Sequence, residues 1–133
     1  MKRTLHFSKK QASSKFQYHL SHWALVMILG TIFSTGAQAV TRTWDNGGGD
    51  GLWSTAANWS GDALPGAADD VVFDATSLAN CTIDGNYSIK SINIAVAYTG
   101  IVSLGANTLT TTSGFTVAAA SGFDAGTGRV KFN

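Results

Sequence analysis

Trp44, Trp53 and Trp59 crowd into one short span together with Asn58, and no other stretch gathers so many side chains able to recognise a ligand. A flat aromatic face beside an amide can stack on a sugar ring while the amide bonds its hydroxyls, so Trp44, Trp53, Asn58 and Trp59 are the candidate carbohydrate-binding set. The favoured reading of the same indoles is structural, as large apolar plugs closing one end of a β stack where small strand residues leave space. Asp69, Asp70 and Asp74 form the other grouping. Their carboxylates, with nearby backbone carbonyls, offer oxygen ligands to a hard cation and are candidates for calcium, although the ligand set is incomplete. A solvated turn and strand edge is the preferred account of them, since that ligand set is incomplete. The run Asn46-Gly-Gly-Gly-Asp-Gly51 lacks the Lys and following helix of a phosphate cradle, and the spacing of the calcium-binding nonapeptide.

What surrounds these residues limits the chemistry. Met1 to Ala39 carries Lys2, Arg3, Lys9, Lys10 and Lys15 without an acid, then the apolar run Trp23 to Phe33, then Ala37-Gln38-Ala39. A basic start, a short apolar stretch and an Ala-x-Ala exit predict a signal helix over 1–39, cleaved between Ala39 and Val40. Gly30, Ser34 and Gly36 interrupt the apolar run before it reaches the roughly 20 residues of a spanning helix. The membrane is therefore a transient partner only. The destination is the cell surface, associated with an outer membrane, or the medium outside.

Cleavage removes His6, His19 and His22, which are all the histidines, and the chain has no Glu. Without an imidazole there is no base for a nucleophilic triad and no histidine metal site, so no cofactor and no enzyme are expected. Paired aspartates could still act on glycosides, which keeps a polysaccharide-active protein as an alternative. Arg42, Lys90, Arg129 and Lys131 face Asp45, Asp50, Asp62, Asp69, Asp70, Asp74, Asp84 and Asp124 beyond the leader, so the near-neutral net charge of +1 hides an acidic remainder. Nucleic acid is excluded as a partner on that charge. Cys81 has no second cysteine to pair with and reads as a small apolar strand residue.

The elements that must position these side chains are short β runs bounded by Gly, Asn or Asp: Asp70 to Asp74, Cys81 to Ile83, Tyr87 to Val96, Gly100 to Leu104, Thr108 to Thr112, Phe115 to Val117 and Arg129 to Phe132. Asp84-Gly85-Asn86, Gly105-Ala-Asn107, Ser113-Gly114 and Gly126-Thr-Gly128 supply turns. Ile92, Ile94 and Val96 should share one strand face, with Ser91 and Asn93 on the other. The fold class is all-β. Even spacing suits a short parallel β-helix, a β-solenoid, with an antiparallel β-sandwich as the alternative. Residues 40–69 are expected to be a Trp- and Gly-rich N-terminal cap and 70–133 a β-strand repeat region. Because strand-like Arg129 to Phe132 runs straight into Asn133 without a polar cover, the repeat tract is expected to continue beyond it, as in a truncated reading frame.

Trp44-Asp-Asn-Gly-Gly48, Leu52-Trp-Ser-Thr55, Asn58-Trp-Ser-Gly61, Pro65-Gly66 and Asp69-Asp-Val-Val-Phe73 follow one another in an order that resembles the N-terminal region of large secreted bacterial surface proteins with autotransporter-type β-strand repeats. Tyr98 to Leu104, Asn107-Thr-Leu-Thr110 and Gly122 to Phe132 are similar to the repeat units of those proteins. The resemblance implies a right-handed parallel β-helix displayed outside the cell in a structural or adhesive role, with surface glycans or host matrix components as partners. It carries over no catalytic residue, since the matching motifs are structural.

Overall fold

Strand formation follows from alternation and β-branching. Val71, Phe73, Ile89, Ile92 and Ile94 are buried, while Val72, Ser88, Lys90 and Asn93 between them are exposed or half-exposed. The computed structural model describes residues 38–119 and 122–133. The leader expected over 1–39 thus lies, through residue 37, outside the described residues. Ala39 and Val40, at the expected cleavage point, are exposed.

Eight strands follow in order: β1 (Thr41–Thr43), β2 (Asp70–Phe73), β3 (Cys81–Thr82), β4 (Tyr87–Ile94), β5 (Val102–Ser103), β6 (Thr108–Val117), β7 (Phe123–Asp124) and β8 (Arg129–Phe132). They form a five-stranded sheet, β1-β2-β4-β6-β8, and a three-stranded sheet, β3-β5-β7. From β2 onward the chain alternates between the two, so each strand of one sheet is the crossover that parallel neighbours in the other require. All six ladders between these strands are parallel. The antiparallel sandwich considered as the alternative is therefore not formed.

Cys81 stands beside Val102 and Val102 beside Phe123, while Asp70 stands beside Ser91 and Thr108 beside Arg129, a 21-residue stride in both sheets; between β4 and β6 it lengthens to 22 before the bulge, where Tyr87 stands beside Leu109, and to 23 after it, where Ser91 stands beside Gly114. A common stride stacks like on like. Val71, Ile92 and Phe115 form one inward column, and Phe73 and Ile94 another that ends at the exposed Val117. Each fully buried aliphatic or aromatic side chain in such columns contributes about 1.5–3 kcal/mol. Turns stack as well. Gly105 and Gly126 both have positive φ, and a Cβ on Gly126 would sit 2.7 Å from the Gly105 carbonyl oxygen, so glycine is needed there for conformation and for space.

Two local expectations are corrected. Ser113-Gly114 is no turn but part of a bulge inside the single strand β6, where the register slips opposite Ile89 to Ser91. Buried Thr111 holds the bulge: its hydroxyl lies 2.7 Å from the Lys90 carbonyl oxygen and 3.0 Å from that of Gly114. Val96 does not share the face of Ile92 and Ile94. The strand ends at Ile94, the chain turns through a Tyr98 N–H to Ala95 carbonyl bond of 3.0 Å, and Val96 is left 78% exposed.

At the other end the edge strand β1 is covered. Trp44 and Trp59 form an antiparallel bridge, Ser60 N–H donates to the Thr43 carbonyl at 2.9 Å, and Thr43 N–H donates to the Ser60 hydroxyl at 3.0 Å. Leu52 joins Thr82 in a parallel bridge, extending the smaller sheet by a row. The segment between β1 and β2 thus closes both sheets at this end, which masks edges that would otherwise template further pairing.

Candidate functional site

Trp44 sits where β1 ends and Trp53 follows the Leu52 bridge, while Trp59 follows a single 3₁₀ turn, Ala56–Asn58. These elements point the three indoles at one another. Trp53 and Trp59 meet edge-on with centroids 4.5 Å apart, Trp44 and Trp59 at 5.1 Å, and Phe73 packs on all three. Tyr87 stacks on Trp53, and Tyr98 packs at a tilt against Phe73, joining the cluster to the inward columns. The Trp44 Nε1–H donates to the Ala79 carbonyl at 3.1 Å and that of Trp59 to the Trp53 carbonyl at 2.9 Å.

Every member of the proposed sugar platform, Trp44, Trp53, Asn58 and Trp59, is 0% exposed. No indole face is available to a sugar ring, so the platform expectation is corrected. A domain of this size has few other ways to fill the space at the end of its sheets, and burial of aromatic area outweighs display. Asn58 serves the interior too. Its Nδ2 donates to Asp50 Oδ1 at 2.6 Å and to the Leu52 carbonyl at 2.8 Å, and its Oδ1 accepts the Gly48 N–H at 2.9 Å. The Asn46–Gly51 run is thereby a self-bonded loop: Asp50 also accepts from the Thr55 hydroxyl and from Leu52 N–H, and Asn46 Oδ1 accepts from Gly51 N–H.

The three calcium candidates do not converge. Asp69 accepts N–H bonds from Val40 and Gly66, Asp70 is paired with Lys90 at 2.7 Å and bonded to the Ser91 hydroxyl, and Asp74 accepts the Thr76 N–H. Among the described residues no group of three or more His, Cys, Asp or Glu is arranged to hold a metal ion. Partners within the fold have replaced a cation for each carboxylate, so this expectation is corrected as well.

The remaining reactive groups are muted. Burial, with Asp84 nearby as a lesser cause, pushes the Cys81 thiol far above its ordinary range and leaves it a poor nucleophile. Burial also pushes the Tyr98 hydroxyl up, and that hydroxyl donates to the Ala79 carbonyl at 2.6 Å. Asp50 and Asp84 are not among the candidate site residues, yet each lies at the centre of a hydrogen-bonded turn. Hydrogen bonds from Thr55, Leu52 and Asn58, in that order, hold the Asp50 carboxyl below its ordinary value. For Asp84 partial burial is the largest influence and acts upward, but the bonds from Ser54 and Tyr87 together outweigh it and the net direction is down.

Folded-state values below the unfolded ones give stability that is complete above the ordinary carboxylate value of about 3.9 and fades as pH falls below it. The thermal midpoint should therefore hold steady from pH 7 to pH 5 and drop toward pH 2.5. Asp84→Asn should start lower at pH 7 and fall less on acidification. Equal acid slopes in a scanning-calorimetry series would remove Asp84 from this account.

Comparison of the chain with protein-family models, with curated proteins and with solved structures gave no match.

Proposed function

We propose that the chain is exported and that its part after Ala39 is a non-enzymatic, parallel β-solenoid module with a structural or adhesive role at the cell surface. The observation that carries this reading is the alternation of the chain between two parallel sheets, with a stride of 21 residues in four of the ladders and of 22 to 23 between β4 and β6. Stacked strides build a stiff body whose length grows without a larger core, which is what a surface rod needs. The columns facing outward are mostly polar: Val72, Asn93 and Thr116 form one, Ser88, Thr110 and Lys131 another. Such a surface suits hydrogen-bonded contact with glycans or matrix proteins.

Interior placement of Trp44, Trp53 and Trp59 supports contact through the outer columns rather than through the indoles.

The test uses the full chain expressed in an exporting bacterium. Intact cells should be labelled at the surface by a membrane-impermeant amine reagent, and the released product should bind saturably on an array of immobilised glycans and matrix proteins. Asn93→Lys with Thr116→Lys should weaken that binding at least tenfold, whereas Trp53→Phe should leave it unchanged. Polysaccharide cleavage by the product, or binding that follows Trp53 instead of the outer column, would overturn the proposal.

A further inference from the structure

Val40 is held more firmly than its place at the start of an edge strand requires. Its N–H donates to Asp69 Oδ1 at 3.0 Å, and its carbonyl accepts the Asp70 N–H at 3.0 Å. Asp69 is only 9% exposed and is itself fixed: its other carboxylate oxygen accepts the Gly66 N–H at 2.9 Å, its own N–H donates to the Gly66 carbonyl at 3.0 Å, and its carbonyl accepts the Lys90 N–H at 2.9 Å. The one nearby cation, Arg42, stands off with its Nε 3.8 Å from Asp69 Oδ2, too far for a hydrogen bond. A buried carboxylate bonded only to neutral amides, with a guanidinium at a distance, is short of countercharge. Gln38 and Ala39, immediately before Val40, are exposed.

We infer that Asp69 is a receptor for the amino terminus created by leader removal: hydrolysis of the Ala39–Val40 bond places the new Val40 ammonium on the Asp69 carboxylate and pins β1 to the sheet. The inference rests on the export reading, which supplies the cleavage. The reaction consumes one water. The new carboxylate leaves on Ala39, and the freed amine of Val40 takes up a proton at neutral pH, since ordinary α-amines titrate near 7.7–8.0. A neutral N–H bond becomes a charge-assisted one on the same oxygen, without movement of the acceptor. The unprocessed chain has only the weaker bond, so processing itself tightens the strand that starts the fold.

The charged groups facing the new terminus are Asp69 and Arg42, with the Asp70–Lys90 pair on the next strands. Pairing with Asp69 raises the amine above its ordinary range. The stability it adds is therefore complete below about pH 8 and is lost as pH rises through the raised value.

The test begins with N-terminal sequencing of the exported product. A chain left uncleaved inside the cell defeats the export reading, and this inference with it. A product that is exported but begins elsewhere leaves export standing and overturns the receptor alone. For product beginning at Val40, its α-amine is labelled by reductive ¹³C-methylation and titrated by NMR. Expected is a midpoint at least half a unit above the ordinary range, returning to that range in Asp69→Asn. Should Asp69→Asn fail to fold, acetylation of the native amine near pH 7 restores the neutral bond, and it should lower Tm by about 4 °C, the scale of a modest ion pair in a domain of this size. An ordinary midpoint in the native product, or an acetylated form as stable as the free one, overturns the inference.

Discussion

Trp59→Ala should remove about 3–5 kcal/mol of unfolding free energy, the range for deleting a buried aromatic side chain that its neighbours cannot replace. Trp59 is the member of the cluster with the most to lose. It lies edge-on to both Trp44 and Trp53, packs on Phe73, and donates its Nε1–H to the Trp53 carbonyl. Relaxation into the cavity is opposed because Trp44 and Trp53 are each tied to a separate sheet, one through the bond from Trp44 N–H to the Val72 carbonyl and the other through that from Trp53 N–H to the Thr82 carbonyl. Small domains have about 5–15 kcal/mol in all, so the variant should be largely unfolded at 37 °C. Urea denaturation followed by the remaining indole fluorescence measures the loss directly. Trp59→Phe should retain roughly half of it. A loss under about 1 kcal/mol for Trp59→Ala, with unchanged m-value, would mean the cluster is not the core of this end of the fold.

Asn58→Ala should be the most damaging polar substitution, at about 2–4 kcal/mol, because three hydrogen bonds end on one fully buried amide and one of them is to a carboxylate. Alanine leaves the Gly48 N–H and the Leu52 carbonyl without their partner, and each carries a desolvation cost if it stays enclosed. Asn58→Asp should be worse still at neutral pH, since a second carboxylate would stand against Asp50 at hydrogen-bond distance. The two variants separate on acidification: Asn58→Asp should recover part of its loss as one carboxyl takes up a proton, and Asn58→Ala should not. Thermal melts of both at pH 7 and pH 4 distinguish them. Equal behaviour would show that the Asp50 contact contributes nothing.

Most strands were legible because alternation is local. Asp70-Val-Val-Phe73 and the Ile89 to Ile94 stretch carry their burial pattern in residue type alone, and the structure agrees with it. β1 was not legible, since Thr41-Arg-Thr43 has no apolar residue and pairs only because β2 offers an edge. Nor was β7, whose two residues are defined by the strand two positions earlier in the fold. The turn assigned to Ser113-Gly114 failed for a related reason. Its residue types suit a reversal, but pairing with β4 before it and again after it carries the strand through, and the extra residue is expelled as a bulge. Strand direction is settled by contacts far apart in the chain, which no local pattern records.

At the candidate site, the residue types were legible and their direction was not. An indole beside an asparagine looks the same in a sequence whether it faces a sugar or a core, and the decision falls to the scarcity of other apolar bulk at that end of the sheets. Asp50 carries a readable local signal. Its side chain bonds the N–H two residues on, an arrangement that Asp and Asn adopt readily between glycines.

The bulge in β6 bears on how such a chain tolerates change in length. Side chains along a strand alternate in direction, so gaining or losing one residue within a ladder would turn buried columns outward from that point on. Insertion or removal of a whole rung, 21 residues at most ladders and 22 to 23 between β4 and β6, keeps the columns in step. Between Ile89 and Ser91 on one strand, and Thr111 and Gly114 on the next, one surplus residue is already absorbed with Thr112 and Ser113 pushed into solvent. That place is where an odd-numbered insertion can be accepted without scrambling the interior, and where a loop or tag is best grafted.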